Sequence, residues 1–221
     1  MSKHLFLTSS IHGVARDLAR KIDQSVREHG VFITTGVKDK VHTDLAWHER
    51  NIAVMHEAGF TFDFYDIAGK TDSEIATDLS QYDYICVEGG HPYYLLHCAR
   101  QCDFGTFLTR RLDEGMIYLG TSAGSMLVGQ DISWAARPGK SPADYHMADT
   151  TALKIVNFDV APHWGHPGKV ELYQGIKLRG MYAENHPYLM ISDKEYIEIE
   201  GDHWQIYTTT PQTLPSFESL K

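Results

Sequence analysis

Along the first half of the chain, short apolar runs alternate with longer stretches in which apolar positions recur every three or four residues. The short runs, near residues 3–8, 31–35, 61–66, 84–88 and 116–119, read as strands. The longer stretches, near 12–29, 43–58, 72–79, 93–100 and 104–114, read as helices. Met116-Ile117-Tyr118-Leu119 is apolar throughout, as a strand buried on both faces must be. Repeated strand, helix, strand order predicts a parallel sheet covered by helices on both faces.

Beyond residue 150 the pattern changes. Short strands are predicted at 154–156 and 158–161, a helix near 168–182, and strands near 188–192, 196–200 and 204–208. Glu200-Gly201-Asp202-His203 closes the last two into a hairpin. Residues 137–148, with Pro138, Gly139 and Pro142, read as a loop lying over whatever site the sheet carries. The expected architecture is a single three-layer α/β/α domain over 1–208 with a mostly parallel sheet. The tail 209–221, with Pro211 and Pro215, is read as poorly ordered.

Sheets of this kind place their sites at the carboxyl ends of the strands. Two glycine-rich breaks fall there, Gly89-Gly90 and Gly120-Thr121-Ser122-Ala123-Gly124. The second has the spacing of a nucleophile elbow, a sharp strand-to-helix turn whose glycines remove colliding side chains. Ser122 is the candidate nucleophile. A serine hydroxyl needs a base that a carboxylate orients. His163 follows the short strand 158–161 and Pro162, at a strand end, whereas His12, His29, His42, His48 and His56 lie on helices or turns and read as structural or solvated. His166 is a nearby competitor. Asp193, after the strand at 188–192, is the best placed acid, with Glu195 and Glu171 as alternatives. The N–H groups of Ala123 and Gly90 are the candidate oxyanion donors.

Composition narrows the classes. The 221 residues suit one domain, and 43% hydrophobic with 22% charged residues is an ordinary globular balance. A net charge of −9 without a basic stripe argues against nucleic-acid or anionic-membrane partners. No run approaches a membrane span, and the N-terminal apolar run is too short for a signal peptide, so a cytoplasmic location is expected. Cys86, Cys98 and Cys102 form an odd set read as buried thiols. His163 and His166 lack a recognisable third ligand, and neither a metal nor another cofactor is expected. A homodimer is a general expectation for an enzyme of this size.

Four segments together resemble the peptidase E family, the aspartyl dipeptidases, related to cyanophycinases and sharing the class I glutamine amidotransferase-like fold. They are residues 3–10, residues 87–96 with Gly89-Gly90-His91-Pro92, the elbow 120–124, and residues 158–163 ending in His163. The resemblance implies Ser122 as nucleophile, His163 as base, and backbone donors at Gly90 and Ala123. Asp193 takes the position where peptidase E has glutamate. His91 and Pro92 stand where members often have Asn-Thr, which makes Gly89 and His91 substrate-loop candidates. Lys169 is the nearest match to the arginine that reads the substrate's aspartate. The leading expectation is a serine hydrolase cleaving small peptides or amides through an acyl-enzyme. A ligand-binding or regulatory protein of the same fold is the alternative, and a serine at the elbow argues against an amidotransferase.

Overall fold

The structure, a computed structural model, describes residues 3–39, 44–137, 139–181 and 186–209. Strands β1 (His4–Thr8), β2 (Gly30–Ile33), β3 (Phe62–Tyr65), β4 (Tyr84–Val87) and β5 (Ile117–Thr121) run parallel in the order β3-β2-β4-β5-β1. Helices α1 (Ala15–Lys21), α2 (Gln24–Arg27), α3 (Ala46–Glu57), α4 (Asp72–Asp78), α5 (Pro92–Gln101) and α6 (Phe104–Asp113) fill the connections, and α7 (Ala123–Leu127) follows β5. After β6 (Asp159–Pro162) and β7 (Tyr188–Ile191), the hairpin of β8 (Glu195–Glu200) and β9 (His203–Thr208) adds to the free edge of β1, with β8 antiparallel to it.

The period-two side-chain alternation of the central strands divides the core into two layers. Leu5, Leu7, Val31, Ile33, Ile85 and Val87 face α4 to α7, while Phe6, Phe32, Tyr84 and Cys86 face α1 and α3. This is the expected three-layer α/β/α arrangement around a mostly parallel sheet. All three cysteines are buried and unpaired, and burial pushes the Cys98 thiol up to about 11. No described helix is long and apolar enough to cross a membrane.

Two expectations need correction. The single helix at 12–29 is a 3₁₀ turn (Ile11–Gly13) followed by α1 and α2, because Ile22 turns extended and Arg27 Nε donates to its freed carbonyl. Residues 154–156 form no strand. Lys154 has φ 55°, and the backbone N–H groups of Leu153 to Val156 donate to carbonyls of Leu127, Val128 and Gly129 at the end of α7. The strands β6 and β7 leave the main sheet and pair parallel with each other. Of the predicted 168–182 helix, residues 170–180 are continuously helical, with a π-helical stretch at Tyr173–Lys177, while Tyr182 lies outside the described residues. The expected tail also lies outside them from residue 210 onward.

Candidate active site

Strands β4, β5 and β1 are neighbours, with Val87 opposite Gly120 and Thr8 opposite Thr121. Gly89-Gly90, Ser122 and Ser9 therefore leave the sheet side by side. Ser122 has φ 52° and ψ −110°, a conformation that costs a non-glycine residue about 1–3 kcal/mol. Its surroundings impose it. Ser122 N–H donates to Thr8 O at 3.0 Å, Ser125 Oγ donates to the same carbonyl at 2.8 Å, and Thr8 Oγ1 donates to Gly120 O at 3.0 Å. A methyl group on Gly124 would stand 1.9 Å from Val87 O, so only glycine lets the elbow seat this deeply.

The pairing of Pro162 with Ile191 brings His163 and the 192–194 turn out at the same end of β6 and β7. His163 has φ 66°, and its ring lies between the other two groups: Nε2 is 3.0 Å from Ser122 Oγ and Nδ1 is 2.7 Å from Asp193 Oδ1. Ser9 Oγ accepts from the His163 backbone N–H at 2.6 Å and donates to Asp193 Oδ1 at 2.5 Å. Burial opposes the charge on Asp193, but the hydrogen bonds from His163 and Ser9 outweigh it and hold the carboxyl at about 2. An ionised Asp193 assigns the ring proton to Nδ1, which leaves the Nε2 lone pair facing Ser122.

A cleft of about 410 Å³ opens over these groups. Trp47 and Arg50 of α3 line one wall, and Arg137, Lys140 and Lys169 line another, with Gly89, Gly90 and Ala123 between them. Among the described residues, Asp193 is the only carboxylate of the lining, and none pairs with Arg137, Lys169 or the adjacent Lys177. Burial lowers all three, and repulsion by Arg137 adds to it at both lysines, bringing Lys177 to about 7. A protein of net charge −9 thus gathers Arg137, Lys140 and Lys169 at its cleft.

Peptidase family S51 matches residues 6–207. The chain belongs to this family. Uncharacterized peptidase Lmo0363 of Listeria monocytogenes is 27% identical over 200 residues, covering 90% of this chain and 95% of its own length. Uncharacterized peptidase PM1590 of Pasteurella multocida is 27% identical over 210 residues, covering 91% and 99%. The crystal structure of a Listeria monocytogenes EGD-e protein assigned as a peptidase E aligns with a TM-score of 0.81 at 25% identity, over 95% of this chain and all of that one. A peptidase from an acI-B1 actinobacterium shares the fold at a TM-score of 0.69 and 16% identity, covering 94% and 88%. The protein is a serine-type peptidase.

In this S51 peptidase most of the candidate residues converge: Ser122, His163, Asp193, Gly89, Gly90, Ala123 and Lys169 all line the cleft. His91 does not. Its ring is 1% exposed, Nδ1 accepts from Tyr94 N–H at 3.2 Å as the cap of α5, and Tyr145 packs against it, so the expected substrate contact is replaced by a structural one. His166 sits at the rim with Nδ1 accepting from Gly168 N–H, and Glu195 caps its own turn by accepting from Ser192 N–H at 2.7 Å. Glu171 is exposed on the helical segment. Sequence reasoning missed Ser9, although it directly follows the strand beside the elbow strand. It also missed Glu88, fully buried next to Gly89, whose carboxylate is 2.5 Å from His48 Nδ1 and accepts from Asn51 Nδ2 at 3.1 Å. That cluster ties α3 to the loop of Gly89-Gly90.

Proposed function

We propose that Ser122, His163 and Asp193 are the catalytic triad of this peptidase, that Gly90 and Ala123 N–H form its oxyanion hole, and that it hydrolyses small peptides whose acyl residue is acidic. The observation that carries the triad is the continuous hydrogen-bonded path from Ser122 Oγ through His163 to Asp193 at the floor of the cleft. His163 Nε2 takes the Ser122 proton as Oγ attacks the substrate carbonyl. The carbonyl oxygen becomes an anion that the two backbone N–H groups stabilise. Collapse breaks the C–N bond, and the proton on Nε2 passes to the leaving amine. Water, deprotonated by the same nitrogen, then cleaves the acyl-enzyme and restores Ser122.

The preference for an acid is supported by the unpaired cations. A lysine cannot reproduce a bidentate guanidinium contact, but Arg137 supplies a guanidinium from the loop after α7, on the same wall as Lys169. Arg137 and Lys169 are partly buried with no ion-pair partner among the described residues, and a substrate carboxylate offsets that cost. The test is a hydrolysis screen over dipeptides and aminoacyl amides with wild type, Ser122→Ala and His163→Ala. Turnover concentrated on acidic acyl residues, and reduced at least ~10⁴-fold in both variants, supports the reading. Wild-type turnover in Ser122→Ala refutes the nucleophile, and equal rates on neutral substrates refute the acid pocket.

A further inference from the structure

The Gly90-His91 peptide is gripped at both ends. The His91 N–H donates to Gly36 O at 2.8 Å, and the Gly90 carbonyl accepts from Lys140 Nζ at 3.1 Å. Gly90 has φ 122°, and a methyl group there would stand 2.0 Å from Gly36 O, so one side of the loop rests on the Gly36 backbone. Lys140 holds the other side. It is 7% exposed and is placed by reciprocal backbone hydrogen bonds with Arg137, 3.0 and 2.9 Å long. A methionine side chain would fill this space without desolvating an ammonium. The contact with Gly36 limits φ of Gly90, and the grip on its carbonyl limits ψ. Together they fix the direction of the Gly90 N–H.

We propose that Lys140 is a positioning residue for the oxyanion hole, fixing the Gly90 peptide by its carbonyl and holding a positive charge behind the donor loop. This rests on the reading of Ser122 as nucleophile and Gly90 as donor. The charged and titratable groups around Lys140 are Arg137 on its own loop, Asp39 after β2, His91 at the start of α5, Tyr145 beyond the loop, and Lys169 and Lys177 on the opposing helical segment. Burial and repulsion by Arg137, against attraction by Asp39, bring Lys140 down to about 8. The ammonium is therefore present below pH 8 and lost above it.

The test measures fluorophosphonate labelling of Ser122, kcat and KM on a peptide from the screen, and melting temperature, across pH 6 to 10, for the full-length wild type, Lys140→Met and Lys140→Arg. Lys140→Met is expected to lower kcat about 10- to 100-fold with little change in KM, and to abolish the decline in kcat above pH 8. Lys140→Arg is expected to restore kcat and to move that decline to higher pH. Normal Ser122 labelling with undiminished kcat in Lys140→Met overturns the role of Lys140 alone. An unlabelled wild-type Ser122 overturns the underlying reading. Should Lys140→Met lose its cooperative melt, the pH profiles of wild type and Lys140→Arg decide, and identical alkaline limbs overturn the proposal.

Discussion

Gly13→Ala separates the reach of Asp193, the proposed triad acid, from its chemistry. Gly13 ends the 3₁₀ turn after β1, and a methyl group on it would stand 1.9 Å from the backbone oxygen of Asp193 and 3.1 Å from its carbonyl carbon. Its φ is not among the positive values, so alanine meets no conformational penalty there and acts through this contact alone. A Cβ keeps about 3 Å or more from such an oxygen, so the 192–194 turn must retreat by about 1 Å. If the carboxylate follows its backbone, the 2.7 Å bond to His163 and the 2.5 Å bond from Ser9 both lengthen beyond effective hydrogen-bonding distance. Losing the group that orients the imidazole costs on the order of 10²- to 10⁴-fold in kcat, while the displaced turn costs about 1–3 kcal/mol of stability.

The assay is kcat on a peptide substrate, with thermal melting and the far-downfield imidazole proton signal as structural readouts. Gly13→Ala should melt cooperatively, lose the proton signal and react slowly. Added to Asp193→Asn, it should lower the rate little further, because both changes remove one interaction. Wild-type kcat in a folded Gly13→Ala variant refutes the argument.

Ser9→Ala removes one donor to Asp193 and the acceptor of the His163 N–H, and should lower kcat about 10-fold. The stability from the depressed Asp193 carboxyl is present above its unfolded value and lost as pH falls toward about 2. With a weaker depression, acid unfolding monitored by circular dichroism should begin at higher pH. Arg137→Leu and Lys169→Met should each raise KM for acidic substrates roughly 10-fold or more and leave kcat on neutral ones unchanged. In the wild type that KM should rise above pH 7, as Lys177 loses its charge, while KM for neutral substrates stays flat; the opposite trend rejects the cationic pocket. Thr71→Ala removes the side-chain half of the α4 capping box and should cost about 1 kcal/mol in thermal unfolding with no effect on turnover.

The legible parts of this chain are those whose signal is local. A buried strand declares itself by its apolar run, and the elbow by glycines at 120 and 124 that the Val87 and Ser125 backbones demand. His163 was legible because a proline-terminated strand precedes it. Arg137 and Lys140 were not, since their role depends on the loop after α7 folding back onto Gly90, a contact between residues about 50 apart. The break in the predicted first helix was hidden for a similar reason. Residues 12–29 keep a helical period, but the carbonyl freed at Ile22 is satisfied by Arg27, a side-chain contact that apolar periodicity does not encode. His91 misled because a histidine beside a glycine loop has two uses, and capping α5 won.

An aspartate as the proposed triad acid and a lysine, Lys169, on the cleft wall pose separate questions of reach and of charge, and backbone placement answers each of them. At Asp193 the reach is set by a turn that packs directly on Gly13, closer than any side chain there would allow. At the cleft wall, Lys169 is joined by the Arg137 guanidinium from the loop after α7. Neither adjustment disturbs Ser122 or His163, two of the five described non-glycine residues with positive φ. Strain of that kind persists only where the surroundings over-determine it, and here the hydrogen bonds that do so come from Thr8 and Ser9 at the end of β1. The position of the reacting atoms is thus set by the sheet, while the acid and the cations are supplied by loops free to differ.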